Sequence, residues 1–415
     1  MILRLALLLV FVGARRAAGV SILLSLLLAS LLTTGCASLT PRNALPEAAA
    51  ANIDLDGFHD IRYWGDETTA DAATLQVPNK ASEALRLHKV GRPPNFLAIS
   101  GGAEDGAFGA GLLAGWGDAG DRPTFQLVTG VSSGALIAPF VFLGRERDRE
   151  LRDIFTNYGR KDIFTFNVPS LLEGSGLVDN SPLVHLIEKY VDAEFLREVA
   201  RERARGRVLL IGTTNLDAQR PVLWDMGRIA ASDSPEALDL FRKVLLASAT
   251  LPGVFAPVRM KVRIGGKQYD ELHVDGGVTR QVFIPPSILR LVAGNSERLA
   301  VGARLYVIRN GRIQPQWEQV KDNVFAISQR SLSTLIKNQS IGDLYRIYSI
   351  TGKNGIEFNL ASIPVDFRAQ SNEPFNLTYM RALFERGYDM GRRGYPWLKS
   401  LPGLQTAERQ PLPGL

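Results

Sequence analysis

Cysteine and histidine are scarce in this chain, which has one cysteine and four histidines among 415 residues. The single thiol, Cys36, excludes an internal disulfide. The four histidines, His59, His88, His185 and His273, are scattered and make no ligand cluster of the zinc type with it. The sequence therefore predicts no disulfide scaffold, no bound metal and no cofactor. It also leaves few histidines to serve as a catalytic base.

Acidic residues are absent from the first 36 positions, which carry three arginines, an apolar run and then small residues up to Cys36. This pattern predicts a secretory signal peptide. An uncleaved anchor is the alternative, although the run 17–32 has 16 residues and a spanning helix needs roughly 20. The segment resembles a bacterial lipoprotein signal in which Cys36 is lipidated, with Thr33 in place of the usual leucine. An ordinary leader cysteine stays open. Ala37 stands where inner-membrane retention signals have aspartate, so we expect an exported chain, lipid-anchored in the cell envelope at the outer membrane.

A large excess of either charge is also missing. Without the three leader arginines, 45 basic residues face 42 acidic ones, which leaves a net charge of +3. This excess is too small to predict nucleic acid as a partner. The basic cluster at 197–207 is interspersed with acids, which favours a solvated helix face over a binding patch.

Strand and helix patterns divide the chain into four parts. Residues 1–36 are the leader, and residues 37–92, rich in Ala, Asp, Pro and Thr, are predicted to be a tether with a short helix. From 93 to 396, short apolar strands alternate with helices, which predicts one α/β domain whose mostly parallel central sheet is covered by helices on both faces. The proline-rich residues 397–415 are predicted to be a loose tail.

Two adjacent serines follow the apolar strand in "LVTGVSSGALIAPF", residues 127–140. The pentapeptide from Gly130 to Gly134 fits Gly-x-Ser-x-Gly with Ser132 at its centre. Small flanking residues let the chain turn sharply from strand into helix and leave the serine hydroxyl exposed. Ser132 is therefore the candidate nucleophile.

A glycine-rich loop, "SGGAEDGAFGAG", follows the preceding strand. Gly101 and Gly102 let the backbone approach a ligand, and the helix that follows adds its dipole, so fixed N–H groups there suit a developing oxyanion. A packing turn is the alternative. A nucleotide-phosphate loop is disfavoured because no Lys-Ser/Thr pair follows the glycines.

The residue that takes the serine proton is less evident. Every histidine lies at or before position 273, which argues against the common order of serine, acid and then histidine. His185 or His273 in a permuted triad stays open. The other candidate is Asp275, at the end of an alternating strand and followed by Gly276 and Gly277, because a partly desolvated aspartate can act as a base. A plain Asp-Gly turn is the alternative.

Taken in order, the glycine loop, the serine turn and the Asp-Gly-Gly sequence resemble those of the patatin-like phospholipase family. The segments "LLASATLPGVFAPV" (245–258) and "GLVDNSPLVHLIEKYV" (176–191) add to the resemblance. It implies a three-layer sandwich and a Ser-Asp dyad, with Ser132 as nucleophile and Asp275 as base. The residues that would form the oxyanion hole are Gly101, Gly102, Ala103 and Gly106.

Two positions depart from the family pattern. Ala103 replaces the third loop glycine, and Asp105 stands where an arginine or lysine usually precedes the loop's last glycine. The resemblance thus implies a lipid ester hydrolase, with preference for phospholipid left open by Asp105. The lipid anchor expected at Cys36 would hold it at a membrane surface. A binding lipoprotein without activity and a histidine-dependent esterase are the alternatives. The segment 166–180 is expected to be an apolar cover or a packed loop.

Overall fold

A computed structural model describes residues 42–47, 55, 57–66, 93–165, 178–264, 266–285, 302–371 and 373–402. The leader with Cys36, most of the 37–92 segment, most of the 166–180 cover and the end of the chain lie outside these residues. No helix in the described ranges combines the length and the apolar character needed to cross a bilayer.

The described residues form one sheet of nine strands. Five central strands run parallel in the order β4-β3-β2-β8-β9, each carrying a short apolar sequence that is almost wholly buried. Such runs are typical of parallel strands covered on both faces. The strands are β1 (Arg62–Trp64), β2 (Asn95–Ile99), β3 (Leu127–Val131), β4 (Val208–Asn215), β5 (Arg220–Asp225), β6 (Val258–Ile264), β7 (Lys267–Asp275), β8 (Arg304–Arg309) and β9 (Glu357–Ser362).

Antiparallel strands extend the sheet on the β4 side. Strand β5 returns beside β4 through a tight turn, β1 pairs with β5, and the hairpin β6–β7 joins the end of β4. The α/β fold class is confirmed, but the sheet is mixed. The sequence pattern missed β1 and β5, which are short and begin with an arginine, and β6, in which basic residues alternate with apolar ones.

Helices cover both faces of the sheet. They are α1 (Gly106–Ala119), α2 (Ser133–Leu143), α3 (Asp148–Asn157), α4 (Arg160–Ile163), α5 (Ser181–Tyr190), α6 (Ala193–Ala204), α7 (Met226–Ala230), α8 (Ala237–Ser248), α9 (Val324–Lys353) and α10 (Leu377–Arg392). Alternate residues of β2 enter opposite cores: Leu97 and Ile99 pack in the larger core, whereas Phe96 and Ala98 pack in the smaller one. The period of two fixes the faces of the sheet.

The predicted tether and tail are partly packed. Phe58 and Ile61, within the 37–92 segment, are 3% and 1% exposed and lead into β1. At the other end Leu398 pairs with Leu360 of β9, and Leu401 is 2% exposed. The domain therefore extends beyond 93–396 in both directions, because apolar residues in these segments cover sheet positions that water would otherwise reach.

Helix α1 crosses α10 at very short range. A Cβ atom added at any of four glycines would lie 2.0–2.4 Å from a backbone oxygen of the other helix: Gly111, Gly115, Gly387 and Gly391. The small residues of α1 therefore serve a close approach to α10. This contact fixes the helix that carries the glycine-rich loop at its start.

Candidate active site

Ser132 occupies a sharp turn between β3 and α2. Its backbone has φ 55° and ψ −126°, a region that non-glycine residues rarely adopt. A Cβ atom at Gly130 would lie 2.4 Å from the Gly134 oxygen, and one at Gly134 would lie 2.4 Å from the Ile99 oxygen. Both glycines are thus required by close backbone contacts, and the turn leaves the Ser132 side chain partly exposed.

The strained backbone at Ser132 is anchored by a second serine. The Ser132 N–H donates to the hydroxyl of Ser248 at 3.0 Å, and that hydroxyl donates to the Gly212 carbonyl at 2.7 Å. Ser248 is completely buried at the end of α8. Sequence reasoning did not select it, although it lies in the "LLASAT" segment that contributed to the family resemblance.

Asp275 meets Ser132 from the end of β7. Asp275 is 5% exposed, and its carboxylate accepts the Gly277 N–H at 2.7 Å and lies beside the Ser132 side chain. Burial raises the pKa of Asp275 to about 6, while the Ser132 side chain and the Gly277 N–H oppose the rise. A Cβ atom at Gly276 would lie 2.4 Å from the Gly212 oxygen, so the bend after Asp275 needs a glycine.

His273 lies on the same strand but has other partners. Trp224 donates its indole N–H to the Thr213 hydroxyl at 2.8 Å, which leaves the Thr213 proton for His273 Nδ1 at 2.9 Å. His273 Nε2 then carries the proton and donates to Glu271 at 3.1 Å. Burial lowers the His273 pKa. Both ring nitrogens are occupied, and His185 is exposed on α5.

The glycine-rich loop passes directly beside the serine. A Cβ atom at Gly101 would lie 3.0 Å from that of Ser132. The Gly101 N–H donates to the Gln281 carbonyl at 3.1 Å, and the Gly106 N–H donates to carbonyls of the short 3₁₀ turn that precedes it. Among the residues described, the N–H groups of Gly102 and Ala103 have no acceptor. Two of the four expected donors are thus available to a ligand.

Asn310, at the end of β8, holds this loop in place. Its N–H donates to the Ser100 hydroxyl at 2.9 Å, its Nδ2 donates to the Ser100 carbonyl at 2.8 Å, and its Oδ1 accepts the Gly109 N–H at 3.0 Å. Its carbonyl oxygen would lie 2.2 Å from a Cβ atom at Gly102. Sequence reasoning missed Asn310, for which the only local signal is a polar residue ending an apolar strand.

Asp105, which departs from the family pattern, is turned into the protein. Tyr379 of α10 donates its hydroxyl to Asp105 Oδ1 at 2.6 Å. Burial raises the Asp105 pKa to about 6, opposed by the Tyr379 hydrogen bond and by attraction to Arg312 and Arg309. Burial likewise lowers the Arg309 pKa to about 10. Positive charge from β8 and its loop therefore stands beside the loop that lacks a cation of its own.

A cavity of about 710 Å³ lies elsewhere, at the amino end of β9, where Tyr348, Lys353 and Phe358 line it. It lies at the amino ends of the parallel strands, whereas Ser132 lies at their carboxyl ends.

Residues 97–287 match the family model described as patatin-like phospholipase. This part of the chain is therefore similar to a patatin-like domain. It contains the serine turn, the glycine loop and Asp275, as the sequence resemblance predicted, whereas β8, α9, β9 and α10 follow the matched segment. No curated protein matches the chain.

Solved structures similar to this chain include VipD from Legionella pneumophila, with 12% identity, a TM-score of 0.34, and coverage of 73% of this chain and 66% of that one. Another is the human GIVD cytosolic phospholipase A2, with 9% identity, a TM-score of 0.33, and coverage of 80% and 66%. The chain thus spans about 66% of the length of each.

Proposed function

We propose that the protein is a serine acyl hydrolase that cleaves carboxylic esters of lipids. The observation that carries the proposal is the position of Ser132, at a strained turn, beside the buried Asp275 carboxylate, whose raised pKa the Ser132 side chain opposes. The match of residues 97–287 to patatin-like phospholipases supports lipid as the substrate class.

The proposed reaction uses two side chains and two backbone amides. Asp275 accepts the Ser132 proton as Oγ attacks the ester carbonyl carbon, and the N–H groups of Gly102 and Ala103 donate to the oxyanion. The proton passes to the leaving alcohol, which leaves an acyl-enzyme. Water then attacks this ester with Asp275 again as the base, and the carboxylic acid is released.

The pKa of Asp275 suits this role. A carboxyl with a pKa of about 6 is ionised at neutral pH, yet it is a stronger base than an ordinary aspartate. No histidine is needed between the two residues, because the Ser132 side chain is near enough to the carboxylate to influence its pKa. Ser248 and Asn310 act as positioning residues, since each holds the backbone that places a reacting group.

The test is hydrolysis of a chain-length series of p-nitrophenyl esters by the purified protein. Ser132→Ala and Asp275→Asn should abolish turnover, whereas Ser133→Ala, which removes the adjacent buried hydroxyl, should retain it. A serine-directed fluorophosphonate should label the parent and not Ser132→Ala. If the folded parent neither hydrolyses esters nor takes the label, the fold serves binding instead. Full loss of activity in His273→Gln with normal folding would point to the histidine-dependent esterase.

Lipid anchoring at the cell envelope belongs to the same proposal and rests on the leader sequence. Metabolic labelling with a radioactive fatty acid should mark the parent and leave Cys36→Ala unmarked. Equal labelling of both would remove Cys36 as the attachment site.

A further inference from the structure

Helix α9 is much longer than the strands it connects. Its 30 residues span about 45 Å, whereas the six-residue strands β8 and β9 span about 20 Å. It leads from the carboxyl end of β8 back to the amino end of β9, so it runs antiparallel to both. Its buried side chains all lie in the second half: Ser340, Asp343, Leu344, Ile347 and Thr351. Every described side chain from 324 to 339 is exposed or half-buried. The first half thus extends past the carboxyl edge of the sheet.

This edge is the one that carries the proposed active site. Gln339 donates its side-chain amide to the Val278 carbonyl at 3.4 Å, and Asp343 accepts the Gln281 N–H at 2.8 Å. Val278 comes three residues after Asp275, and the Gln281 carbonyl binds Gly101. The extending half of α9 therefore starts at the wall of the site.

Exposed apolar side chains are concentrated on this extension and directly beside it. Of the ten large hydrophobic residues exposed in the described part of the chain, four lie on the extension, two in the loop before it and one in the turn after β7: Val324, Ile327, Leu332 and Leu335, then Trp317 and Val320, then Val278. Trp317 is 89% exposed, Val324 82% and Leu335 68%. We call these seven residues the projecting surface. Such a concentration marks an interaction site, since single exposed hydrophobics scattered over a protein are ordinary.

Positive charge surrounds the projecting surface. Between 312 and 339 the chain carries four cations, Arg312, Lys321, Arg330 and Lys337, against two acids, Glu318 and Asp322. Arg330 pairs with Glu318 at 2.8 Å. Burial and the neighbouring charges of Arg309, Arg330 and Arg312 lower the Lys337 pKa. The cations repel one another, and an anionic surface would relieve that repulsion.

We propose that the projecting surface docks the protein on an anionic lipid–water interface and delivers lipid esters to Ser132. The proposal rests on the proposed function for its substrate. Apolar side chains with a tryptophan would enter the boundary between headgroups and acyl chains, while the cations meet anionic headgroups. Charge favours lipid over a second copy of the chain, because two surfaces of net positive charge repel each other.

The first experiment reads docking without hydrolysis. An environment-sensitive dye is attached at Leu335→Cys in a full-length chain that also carries Cys36→Ser and Ser132→Ala. Leu398→Cys, which is 37% exposed at the sheet edge, is the matched control. With vesicles of mixed phosphatidylglycerol and phosphatidylcholine, emission at 335 should shift to the blue and emission at 398 should not. Adsorption through the leader alone would leave both dyes in water.

Three results would overturn the proposal. These are an unshifted dye at 335, equal shifts at both positions, or a shift at 335 that follows protein concentration without vesicles, which would indicate a second copy. Vesicles of phosphatidylcholine alone should give a weaker shift, because the electrostatic attraction is missing.

The second experiment reads delivery of substrate. Combining Trp317→Ser, Val324→Ser and Leu335→Ser should reduce hydrolysis of anionic vesicle lipid about tenfold or more. Hydrolysis of a monomeric short-chain ester should be unchanged, and Leu398→Ser should alter neither. Equal losses on both substrates would contradict docking as the role. A parent that is inactive on every ester would remove the proposed function, and the dye experiment would still decide docking.

Discussion

Glu271 and Asp275 lie four residues apart on β7, and both are buried, at 2% and 5% exposure. Their pKa values nevertheless move in opposite directions. Burial raises the pKa of each, but at Glu271 the hydrogen bond from His273 and the nearby Arg62 guanidinium outweigh it and lower the pKa to about 2. Asp275 has no cation among its pKa-determining neighbours and reaches about 6.

The opposite pKa shifts indicate a structural role for Glu271 and suit the proposed catalytic role of Asp275. Arg62 of β1 contacts Glu271 at 2.5 Å and ties the edge of the sheet to β7. A carboxylate held ionised in this way is a poor base. Asp275 is buried without a neighbouring cation, which costs stability. Its raised pKa suits the proposed base, in keeping with the rule that perturbed pKa values mark functional sites.

Of the two carboxylates, only Asp275 is expected to affect catalysis strongly. Asp275→Asn should lower kcat for ester hydrolysis by about 10²–10⁴-fold, because the amide cannot take the serine proton. Glu271→Gln should leave kcat within a few-fold of the parent. Steady-state kinetics on a monomeric p-nitrophenyl ester measures both. A comparable kcat loss in Glu271→Gln, with the fold intact by circular dichroism, would contradict the division of roles.

The same Glu271→Gln variant tests the structural role of Glu271. Removing the charge leaves the Arg62 guanidinium and the His273 ring without their buried anion, so the free energy of unfolding should fall by about 3 kcal/mol. Urea denaturation at neutral pH measures the change. Glu194→Gln on α6, whose ion pairs are solvent-exposed, is the control and should leave the free energy of unfolding nearly unchanged.

The pH dependence of stability also distinguishes Glu271 from Asp275, because the two carboxyl groups titrate over different pH ranges. The Asp275 pKa is higher in the folded state than its ordinary 3.8, so its contribution to stability is complete below about pH 4 and is lost as pH rises through about 6. Asp275→Asn removes this dependence. Relative to the parent, the variant should gain up to about 3 kcal/mol between pH 4 and pH 8. Urea titrations at several pH values measure the gain, and an unchanged difference would show that Asp275 has an ordinary pKa.

Ionisation of Asp275 is also expected to govern turnover. Since the base must be ionised, kcat/KM of the parent should rise with pH through about 6 and then level off. His273→Gln should keep this profile. A shift of the apparent pKa in that variant by more than about one unit would mean that the histidine takes part in the proton transfer.

A smaller effect is expected at Ser248, which accepts the hydrogen bond from the Ser132 N–H. Ser248→Ala removes the acceptor of the Ser132 N–H and should cost about 1–2 kcal/mol in unfolding free energy. It should lower kcat with little change in KM, because the nucleophile shifts while the binding surface remains. Ser248→Thr, which keeps the hydroxyl, should restore part of kcat. No kcat loss in Ser248→Ala would leave Ser248 with a purely structural role.

Local sequence patterns were enough to predict the centre of the fold. The parallel strands are continuous apolar runs, and the serine turn and the Asp-Gly-Gly bend each need small residues at fixed positions. The pairing of Ser132 with Asp275, 143 residues apart, came from the family resemblance, because local patterns left the base open. Their individual roles stay predictions.

Other parts of the site left no local pattern. Ser248 and Asn310 are single polar residues whose partners come from distant strands. The engagement of the Gly101 N–H by Gln281 likewise depends on a contact across 180 residues. The antiparallel strands β5 and β6 were missed for a related reason, since their places in the sheet depend on pairing with β4 and β7.

The interleaved order of the sheet has a consequence for synthesis on the ribosome. Strand β2, which leads into the glycine loop, lies between β3 and β8, and α1 is locked against α10 near the end of the described chain. The serine turn is thus translated long before the elements that complete its surroundings. Nascent chains should pass most of their elongation without a formed site, and hydrolytic competence should arise late, once the last helix has emerged and closed over the first.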